Sequence, residues 1–279
     1  QHAMRDTFAN FENDPLDGWS LPAWTYDDPE FAALEVERIF RPGWQVVCHV
    51  SDVPNAGDWH SLDYIGESVI VVRGADQILR AFTNVCRHRG AEVCTQPKGN
   101  ARGFVCPYHA WTYSLDGSLR AARLMPKDFK REDHGLRTLH VRVAEGLVFV
   151  SFAETPLDFS EVERLLHATC GQYGWGSAKI AHRQTYPVNA NWKLAVENYV
   201  ECYHCGPAHP EYSQTHALEK PAHLIEGMNA EMEARTSALG IEIGSGYHWT
   251  TSEQGHEAIH AFRYALYEGV QTGSEDGKA

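Results

Sequence analysis

The chain has 279 residues, of which 43% are apolar and 22% charged, a composition typical of a soluble globular protein. Its formal charge of -13 argues against a nucleic-acid partner, because neutralisation of phosphates dominates that kind of binding. No apolar run approaches the ~18 residues of a membrane span, and no secretory signal is predicted at the start of the chain. We therefore expect a cytoplasmic protein, in which seven clustered cysteines favour metal ligation over disulfides.

The first predicted element is a helix over residues 29–40. Phe31, Leu34 and Ile39 recur there at near-helical spacing, and Pro29 is acceptable in a first turn. The residues around this helix are rich in Asp, Pro and Trp. We interpret residues 1–42 as an arm that precedes the first domain.

A small all-β domain is predicted for residues 43–155. The sequence there consists of short β-branched and aromatic runs, which lie at residues 67–74, 81–85, 103–106, 111–115 and 140–152. Turn signals such as Asp116-Gly117 separate these runs, and the last run predicts a hairpin around Glu145-Gly146.

Helical patterns return after Pro156, so a second domain is predicted for residues 156–279. Residues 157–170 fit a helix with Ser160 near its start, and residues 191–204 fit another. The second helix would carry an apolar stripe beside a polar stripe. The apolar stripe is formed by Trp192, Val196, Tyr199 and Tyr203. The polar stripe is formed by Lys193, Glu197, Glu201 and His204. Such a helix is also typical of a half-exposed, solvated face.

Four metal-binding side chains within the β domain form two mixed pairs, Cys86 with His88 and Cys106 with His109. Two thiolates on one iron and two imidazoles on the other would form a Rieske [2Fe–2S] centre. A zinc site uses the same residue types, but usually pairs cysteine with cysteine and histidine with histidine. Buried cysteines that only pack are the other alternative. The pairs are 17 residues apart, and nearby glycines permit close backbone approach, which favours the iron–sulfur interpretation; these glycines are Gly90, Gly99 and Gly103.

A second candidate site lies in residues 201–209, which read E-C-Y-H-C-G-P-A-H. On a regular helix His209 would point about 140° away from His204. Gly206-Pro207 can break or re-aim the helix between them, so that both imidazoles converge on one ion. Neutral imidazole is a common ligand of iron.

The pattern C-x-H-x17-C-x2-H, with R-H-R-G-A and C-P-Y-H-A-W around its two halves, resembles the Rieske domain of the large subunits of Rieske non-heme iron oxygenases. Residues 198–209 resemble the mononuclear-iron motif of the same family. The resemblance implies an α+β fold, in which an all-β Rieske domain precedes a helix-grip-like catalytic domain of antiparallel sheet and helices. The chain would include the catalytic domain only in part.

The resemblance also implies roles for individual residues. The implied ligands are Cys86, His88, Cys106 and His109 for a [2Fe–2S] cluster, and His204 and His209 for a mononuclear Fe(II). Glu201 holds the position of the acidic residue that bridges the two centres, and Asn198 matches an asparagine near the iron, so both are candidate catalytic residues. Cys202 and Cys205 match no ligand position. The family's third iron ligand, an Asp, is expected beyond residue 279.

Most aromatic-ring dioxygenases have Asp at the bridging position, whereas this chain has Glu201. With N-W-K-L-A-V-E-N-Y around it, this resembles the branch that acts on quaternary ammonium compounds such as choline, glycine betaine, carnitine and proline betaine. The implied function is a terminal oxygenase that uses O₂ and electrons from NAD(P)H, delivered by a separate reductase of flavin or ferredoxin type, to hydroxylate or N-demethylate a small substrate. The implied assembly is a homotrimer. The alternatives are an aromatic-ring dioxygenase or O-demethylase, a Rieske electron carrier, and a zinc-stabilised binding module.

Overall fold

The structure is a computed structural model that describes residues 21–200 and 204–214, and beyond them only residues 227, 230, 233–234, 237–238, 240, 250–251 and 257–258. Of these, residues 29–185 form one compact unit, and residues 21–28 together with those from 186 onward form a second. The predicted domain bounds of 1–42, 43–155 and 156–279 stay a prediction. Among the described residues, no helix has both the length and the apolar character needed to cross a membrane.

A seven-stranded antiparallel sheet with the order β1-β10-β9-β4-β3-β2-β5 forms the frame of the first unit, and a three-stranded sheet with the order β6-β7-β8 accompanies it. The strands of this unit are β1 (Gln45–His49), β2 (Asp58–Tyr64), β3 (Glu67–Arg73), β4 (Leu79–Thr83), β5 (Lys98–Asn100), β6 (Phe104–Val105), β7 (Thr112–Tyr113), β8 (Leu119–Ala121), β9 (Thr138–Ala144) and β10 (Leu147–Ser151). In the second unit β11 (Thr250–Thr251) pairs with β12 (Glu257–Ala258).

The helices of the described residues are α1 (Trp24–Asp27), α2 (Pro29–Glu35), α3 (Ser160–Cys170), α4 (Trp192–Val200), α5 (Cys205–Ala208) and α6 (Pro210–Ser213). The helix predicted for residues 29–40 is confirmed, and its last five residues, Val36–Phe40, are π-helical. The helix with Ser160 near its start and the hairpin around Glu145-Gly146 are also confirmed. The helix predicted for 191–204 is confirmed as far as Val200, and residues 201–203 lie outside the described part of the chain.

Strand β3 separates two apolar cores because alternate side chains of a strand point to opposite faces. Ile70 and Val72 pack into one core, which also contains both cysteines of the two Cys–His pairs. Val69 and Val71 pack into the other core with residues of β1, β9 and β10. All four side chains are fully buried, and the near-continuous apolar run of β3 is the pattern expected of a strand covered on both faces.

In the second unit, α4 is held by α1 through its polar side. The hydroxyl of Tyr26 donates to Glu197 at 2.7 Å, and the Asn191 amide donates to the Tyr26 carbonyl at 3.0 Å. The Lys193 ammonium lies over the Tyr26 ring, 5.4 Å from its centroid, and Lys193 is only 8% exposed. Lys193 is therefore a packing residue, whereas Glu197, the next residue of the polar stripe, bonds to Tyr26 but stays exposed.

We predict that Gly117→Ala destabilises the fold by about 1–3 kcal/mol more than Gly66→Ala. Both glycines have positive φ, +86° and +78°, so both alanines share the left-handed strain of about 1–2 kcal/mol. A Cβ at position 117 would also collide with the ring of buried Phe82, whereas one at position 66 would meet nothing within 4 Å. Urea unfolding of the two variants measures the difference, and equal free energies of unfolding would contradict the packing argument.

Candidate metal centres

Two loops of the first unit have the same backbone closure, and each carries one Cys–His pair. The Cys86 amide donates to the Ala91 carbonyl at 2.8 Å, and the Gly90 amide donates back to the Cys86 carbonyl at 3.0 Å. In the other loop the Cys106 amide donates to the Trp111 carbonyl at 2.8 Å, and the Ala110 amide donates to the Cys106 carbonyl at 3.0 Å. Gly90 and Ala110, the fourth residues after the cysteines, both have positive φ, +73° and +56°. The local sequences thus fold into two matching loops.

Both cysteine side chains are buried between these loops, Cys86 at 3% and Cys106 at 2% exposure. Burial raises the pKa of the Cys106 thiol, while the backbone N–H groups of Tyr108 and His109 act in the opposite direction by hydrogen bonding to its sulfur. The hydroxyl of buried Tyr113 lies 3.2 Å from the Cys86 sulfur. The Arg87 amide donates to the same hydroxyl at 3.0 Å. The O–H is thus available to donate to a thiolate at position 86.

The histidines of the two loops face each other, with the ring centroids of His88 and His109 4.6 Å apart. His88 stacks on buried Trp111 at 4.8 Å and 9°, and its Nδ1 atom is buried without a hydrogen-bond partner among the described residues. Burial lowers the pKa of the His88 imidazole, and the neighbouring His109 and Arg89 act in the same direction. This favours the neutral form, which is the form that binds metals.

Sequence reasoning missed a side chain that shapes the first loop. The Asn84 carbonyl oxygen accepts from the amides of Val93 and Cys94 at 3.0 and 2.8 Å, and its NH₂ group donates to the Cys94 carbonyl at 2.7 Å. Asn84 is 1% exposed. No local pattern marks this residue. Sequence reasoning also missed that Trp111 and Tyr113 contribute to this site. Residues two apart in an extended segment point to the same face, so Trp111 and Tyr113, at and beside β7, both point inward.

The first site fits a Rieske [2Fe–2S] cluster. Two buried thiols and two facing imidazoles are the donor set that this cluster takes from a protein. The unpartnered Nδ1 atom of His88 is a buried polar atom of the kind that requires a partner, which a metal ion would supply. The backbone N–H groups and the Tyr113 hydroxyl directed at the sulfurs suit electron-rich thiolates.

The second site brings together the two histidines that sequence reasoning selected. The ring centroids of His204 and His209 are 5.3 Å apart with an interplanar angle of 70°. Helix α5 runs through Gly206-Pro207, so the chain stays helical at these two residues. Residues 201–203, which join α4 to α5, lie outside the described part of the chain, and the predicted change of direction between the histidines stays a prediction. The chain leaves the helical region at His209, with φ -128° and ψ 69°, because the residue before a proline, here Pro210, is restricted from that region.

The other residues predicted for the second site are less fully defined. Asn198 is exposed on α4, and Cys205 is buried, in keeping with a packing role. Glu201 and Cys202 lie outside the described residues. Within the described part of the chain, no three His, Cys, Asp or Glu side chains are grouped to hold a single metal ion. The two histidines therefore fit two of the ligands of a mononuclear iron, and the structure identifies no third.

We predict that Tyr113→Phe lowers the reduction potential of a cluster reconstituted in the chain. A hydrogen bond to a ligand sulfur stabilises the more negative reduced state, so removing it favours the oxidised state. The measurement is an EPR-monitored redox titration. Tyr64→Phe is the matched control, because the Tyr64 hydroxyl bonds to Gln45 and belongs to the opposite core. An unchanged potential in Tyr113→Phe would contradict the assignment of its hydroxyl as a donor to Cys86.

Comparison with known families agrees with this geometry. Residues 43–140 match the Rieske [2Fe-2S] domain, and residues 176–273 match the catalytic domain of the ring-hydroxylating alpha subunit. The first match contains both Cys–His loops, and the second contains His204 and His209. The two domain families imply a [2Fe–2S] cluster and a mononuclear iron as the cofactors. They also confirm the predicted fold class.

Individual relatives point to the same family. The chain is 40% identical over 210 residues to the glycine betaine monooxygenase oxygenase subunit of Chromohalobacter salexigens, which covers 75% of this chain and 47% of the relative. It is 37% identical over 226 residues to the carnitine monooxygenase oxygenase subunit of Escherichia coli K12, and this match covers 78% of this chain and 59% of the relative.

The structure is similar to that of the quaternary ammonium Rieske monooxygenase CntA in complex with L-carnitine, with a TM-score of 0.65 and 38% identity over 70% of this chain and 57% of that one. This chain spans about half the length of the curated relatives it matches. The two matched domains and these relatives show that the chain belongs to the large-subunit family of Rieske non-heme iron oxygenases.

Proposed function

We propose that the protein is the terminal oxygenase component of a Rieske system and oxidises a quaternary ammonium compound by hydroxylation or N-demethylation. The observation that carries the proposal is the second histidine pair, His204 and His209, whose ring centroids lie 5.3 Å apart. A simple electron carrier needs only the cluster site. A second site with two imidazole ligands suits a non-heme iron that keeps positions open for O₂ and substrate.

The ligand assignment follows the geometry of the two sites. We propose that the side chains that bind the cluster are Cys86, His88, Cys106 and His109, and that those that bind the mononuclear iron are His204 and His209. When bound, the cluster supplies single electrons and the iron supplies O₂ activation. The chain's own contribution at the cluster is to exclude water from the two sulfurs and to favour the neutral form of the His88 imidazole, whose pKa burial lowers.

The substrate class rests on the relatives. The curated relatives named above are oxygenase subunits for glycine betaine and carnitine, and both compounds carry a quaternary ammonium group. A cation of this kind is recognised by aromatic faces. A salicylate 5-hydroxylase large component is also 37% identical, over 69% of this chain. An aromatic-ring hydroxylase is therefore the second candidate function.

The proposed partners are a reductase of flavin or ferredoxin type and further copies of the chain. Hydroxylation with O₂ consumes two external electrons, which a separate donor must supply. A CntA structure is described as giving insight into inter-subunit electron transfer, which supports a head-to-tail assembly such as a trimer. A cytoplasmic location is supported by the cysteines, since none that the structure describes forms a disulfide.

The proposed activity predicts single-turnover oxidation of glycine betaine or L-carnitine. The chain is loaded with cluster and Fe(II), reduced with dithionite, desalted and exposed to O₂ with either betaine or with salicylate. Mass spectrometry then detects addition of oxygen or loss of a methyl group. We expect product from a betaine, and none from a His204→Ala/His209→Ala variant that keeps its cluster spectrum. Oxidation of salicylate alone would support the second candidate function, and cluster reduction without any product would support the electron carrier.

A separate prediction concerns Glu201 as a proposed positioning residue between the centres. Glu201→Gln should leave the visible and EPR spectra of the cluster intact but abolish electron transfer to the mononuclear site, because an amide cannot reproduce the carboxylate's acceptance of hydrogen bonds from both sides. Rapid-freeze EPR after mixing the reduced protein with O₂ and betaine measures the reoxidation of the cluster. Glu163→Gln, on exposed helix α3, is the control. Normal reoxidation in Glu201→Gln would exclude the role.

A further inference from the structure

Tyr26, a single residue of α1, contacts α4 at three positions along that helix. Its carbonyl accepts from the Asn191 amide at 3.0 Å, and its hydroxyl donates to Glu197 at 2.7 Å. The Lys193 ammonium lies 5.4 Å from the centroid of its ring. Asn191 and Glu197 are six residues apart, which corresponds to about 9 Å along a helix axis. Contacts this far apart fix both the rotation and the axial position of α4.

Helix α1 presents Tyr26 from a well-defined backbone. The hydroxyl of buried Thr25 donates to the Pro22 carbonyl at 2.8 Å, and the Tyr26 amide donates to the Ala23 carbonyl at 3.0 Å. Glu197 raises the pKa of the Tyr26 phenol by accepting its hydrogen bond. The hydroxyl therefore remains a donor at neutral pH.

The first turn of α4 is tied to α1 by the same residues. The side-chain oxygen of Asn191 accepts from the Lys193 amide at 3.0 Å, as a helix cap does, while its NH₂ group reaches the Tyr26 carbonyl. The Lys193 ammonium also lies 5.4 Å from the centroid of the Trp192 ring, and Lys193 is buried. A cation against aromatic faces is held more strongly when it is desolvated. The start of α4 thus has one preferred orientation toward α1.

The rotation of α4 matters because this helix carries residues predicted for the mononuclear iron site. Asn198 directly follows Glu197, so a fixed Glu197 also fixes the direction in which Asn198 leaves the helix. The sequence predicts that the helix continues beyond α4, which would place Glu201 and His204 on the same face as Glu197. A rotation of α4 would therefore move all of these side chains together.

We propose that Tyr26 is a positioning residue for the mononuclear iron site and acts by fixing the rotation of α4 through Glu197 and Lys193. The proposal rests on the proposed function, because it requires His204 and His209 to bind a metal. Tyr26 does not touch the metal. Its effect is on how well the two imidazoles match the geometry of one ion.

The chemistry of the contacts favours positioning over simple packing. Tyr26 holds α4 through two hydrogen bonds and a cation–aromatic contact. Hydrogen bonds are directional, whereas apolar packing is not, so these contacts specify a rotation. Side chains that orient metal ligands change metal affinity by about 10–100-fold when they bond to the ligand directly. Tyr26 acts at a greater distance from the ligands, and its effect should be smaller.

The test measures Co(II) binding, because Co(II) accepts imidazole ligands and requires no oxygen chemistry. The chain is first loaded with its cluster, so that the Cys–His loops are occupied. Co(II) is then titrated, and binding is followed by calorimetry and by EPR of the bound ion. Tyr26→Phe removes only the hydroxyl that reaches Glu197. Tyr186→Phe is the matched control, since Tyr186 is 72% exposed and belongs to the same unit.

We expect Tyr26→Phe to weaken Co(II) binding about threefold to tenfold, the effect of one net hydrogen bond on an equilibrium, and to alter the EPR spectrum of the bound ion. Tyr186→Phe should change neither. Glu197→Gln keeps an oxygen that accepts from Tyr26 and should retain most of the affinity, whereas Glu197→Ala should behave like Tyr26→Phe. Combining Tyr26→Phe with Glu197→Ala should add little further loss, because both remove the same interaction.

Equal Co(II) affinities and EPR spectra in Tyr26→Phe and Tyr186→Phe would overturn the proposal. This holds even if urea unfolding shows Tyr26→Phe to be less stable, because a purely structural contact lowers stability without changing the metal site. Fully additive losses from Tyr26→Phe and Glu197→Ala would also overturn it, since Glu197 would then act on the metal by another route.

A His204→Ala/His209→Ala variant separates this proposal from the proposed function. It should lose Co(II) binding. Unchanged binding would overturn the metal site of the proposed function, and the role of Tyr26 with it. Lost binding together with equal affinities in the two tyrosine variants would overturn the role of Tyr26 alone.

Discussion

The burial of two sulfur ligands in an apolar core is the constraint on which the Rieske unit depends. A buried thiolate is costly unless donors compensate its charge. The chain supplies them from backbone N–H groups at Cys106 and from the Tyr113 hydroxyl at Cys86. Backbone donors can point at a sulfur only when the loop curls around it, and this curl places Ala110 at a φ of +56°. The backbone strain at Ala110, about 1–2 kcal/mol for a non-glycine residue, is thus a consequence of the loop shape that directs N–H groups at the Cys106 sulfur.

One face of the sheet positions the metal ligands, and the other face mainly stabilises the fold. The core on one face contains the two cysteines, whose positions are fixed by loops and hydrogen bonds. The core on the other face, with Val69, Val71 and Val148, consists mainly of aliphatic side chains, most of them on long paired strands. Because β3 contributes to both, the second core holds the strand against which the loops pack. The precise placement of the ligands therefore rests on a framework that does not itself bind metal.

The parts of this structure that were predictable from sequence are those determined by neighbours in the chain. The hairpin at Glu145-Gly146 was predictable because both residues adopt positive φ, +46° and +78°, as a tight hairpin turn requires. The two Cys–His pairs were predictable for the same reason, since the members of each pair are only two or three residues apart in the chain. The burial of Lys193 was not predictable, because it depends on Tyr26, which lies in a helix far away in the sequence. Asn84 was missed for a similar reason, since its partners include Ser68, which is 16 residues away.

Two prolines near the histidine pair, Pro207 and Pro210, have different effects on the backbone. Pro207 lies within the single turn of α5, where the missing N–H of a proline disrupts little because first-turn amides have no intrahelical acceptor. Pro210 acts on the residue before it, and His209 is that residue. A sequence interpretation that counts prolines cannot separate these effects, whereas one that asks which backbone angle each proline restricts can do so. The ring of His209 faces His204 because a neighbouring proline takes its backbone out of the helix, and the pair therefore depends on Pro210 as much as on the histidines themselves.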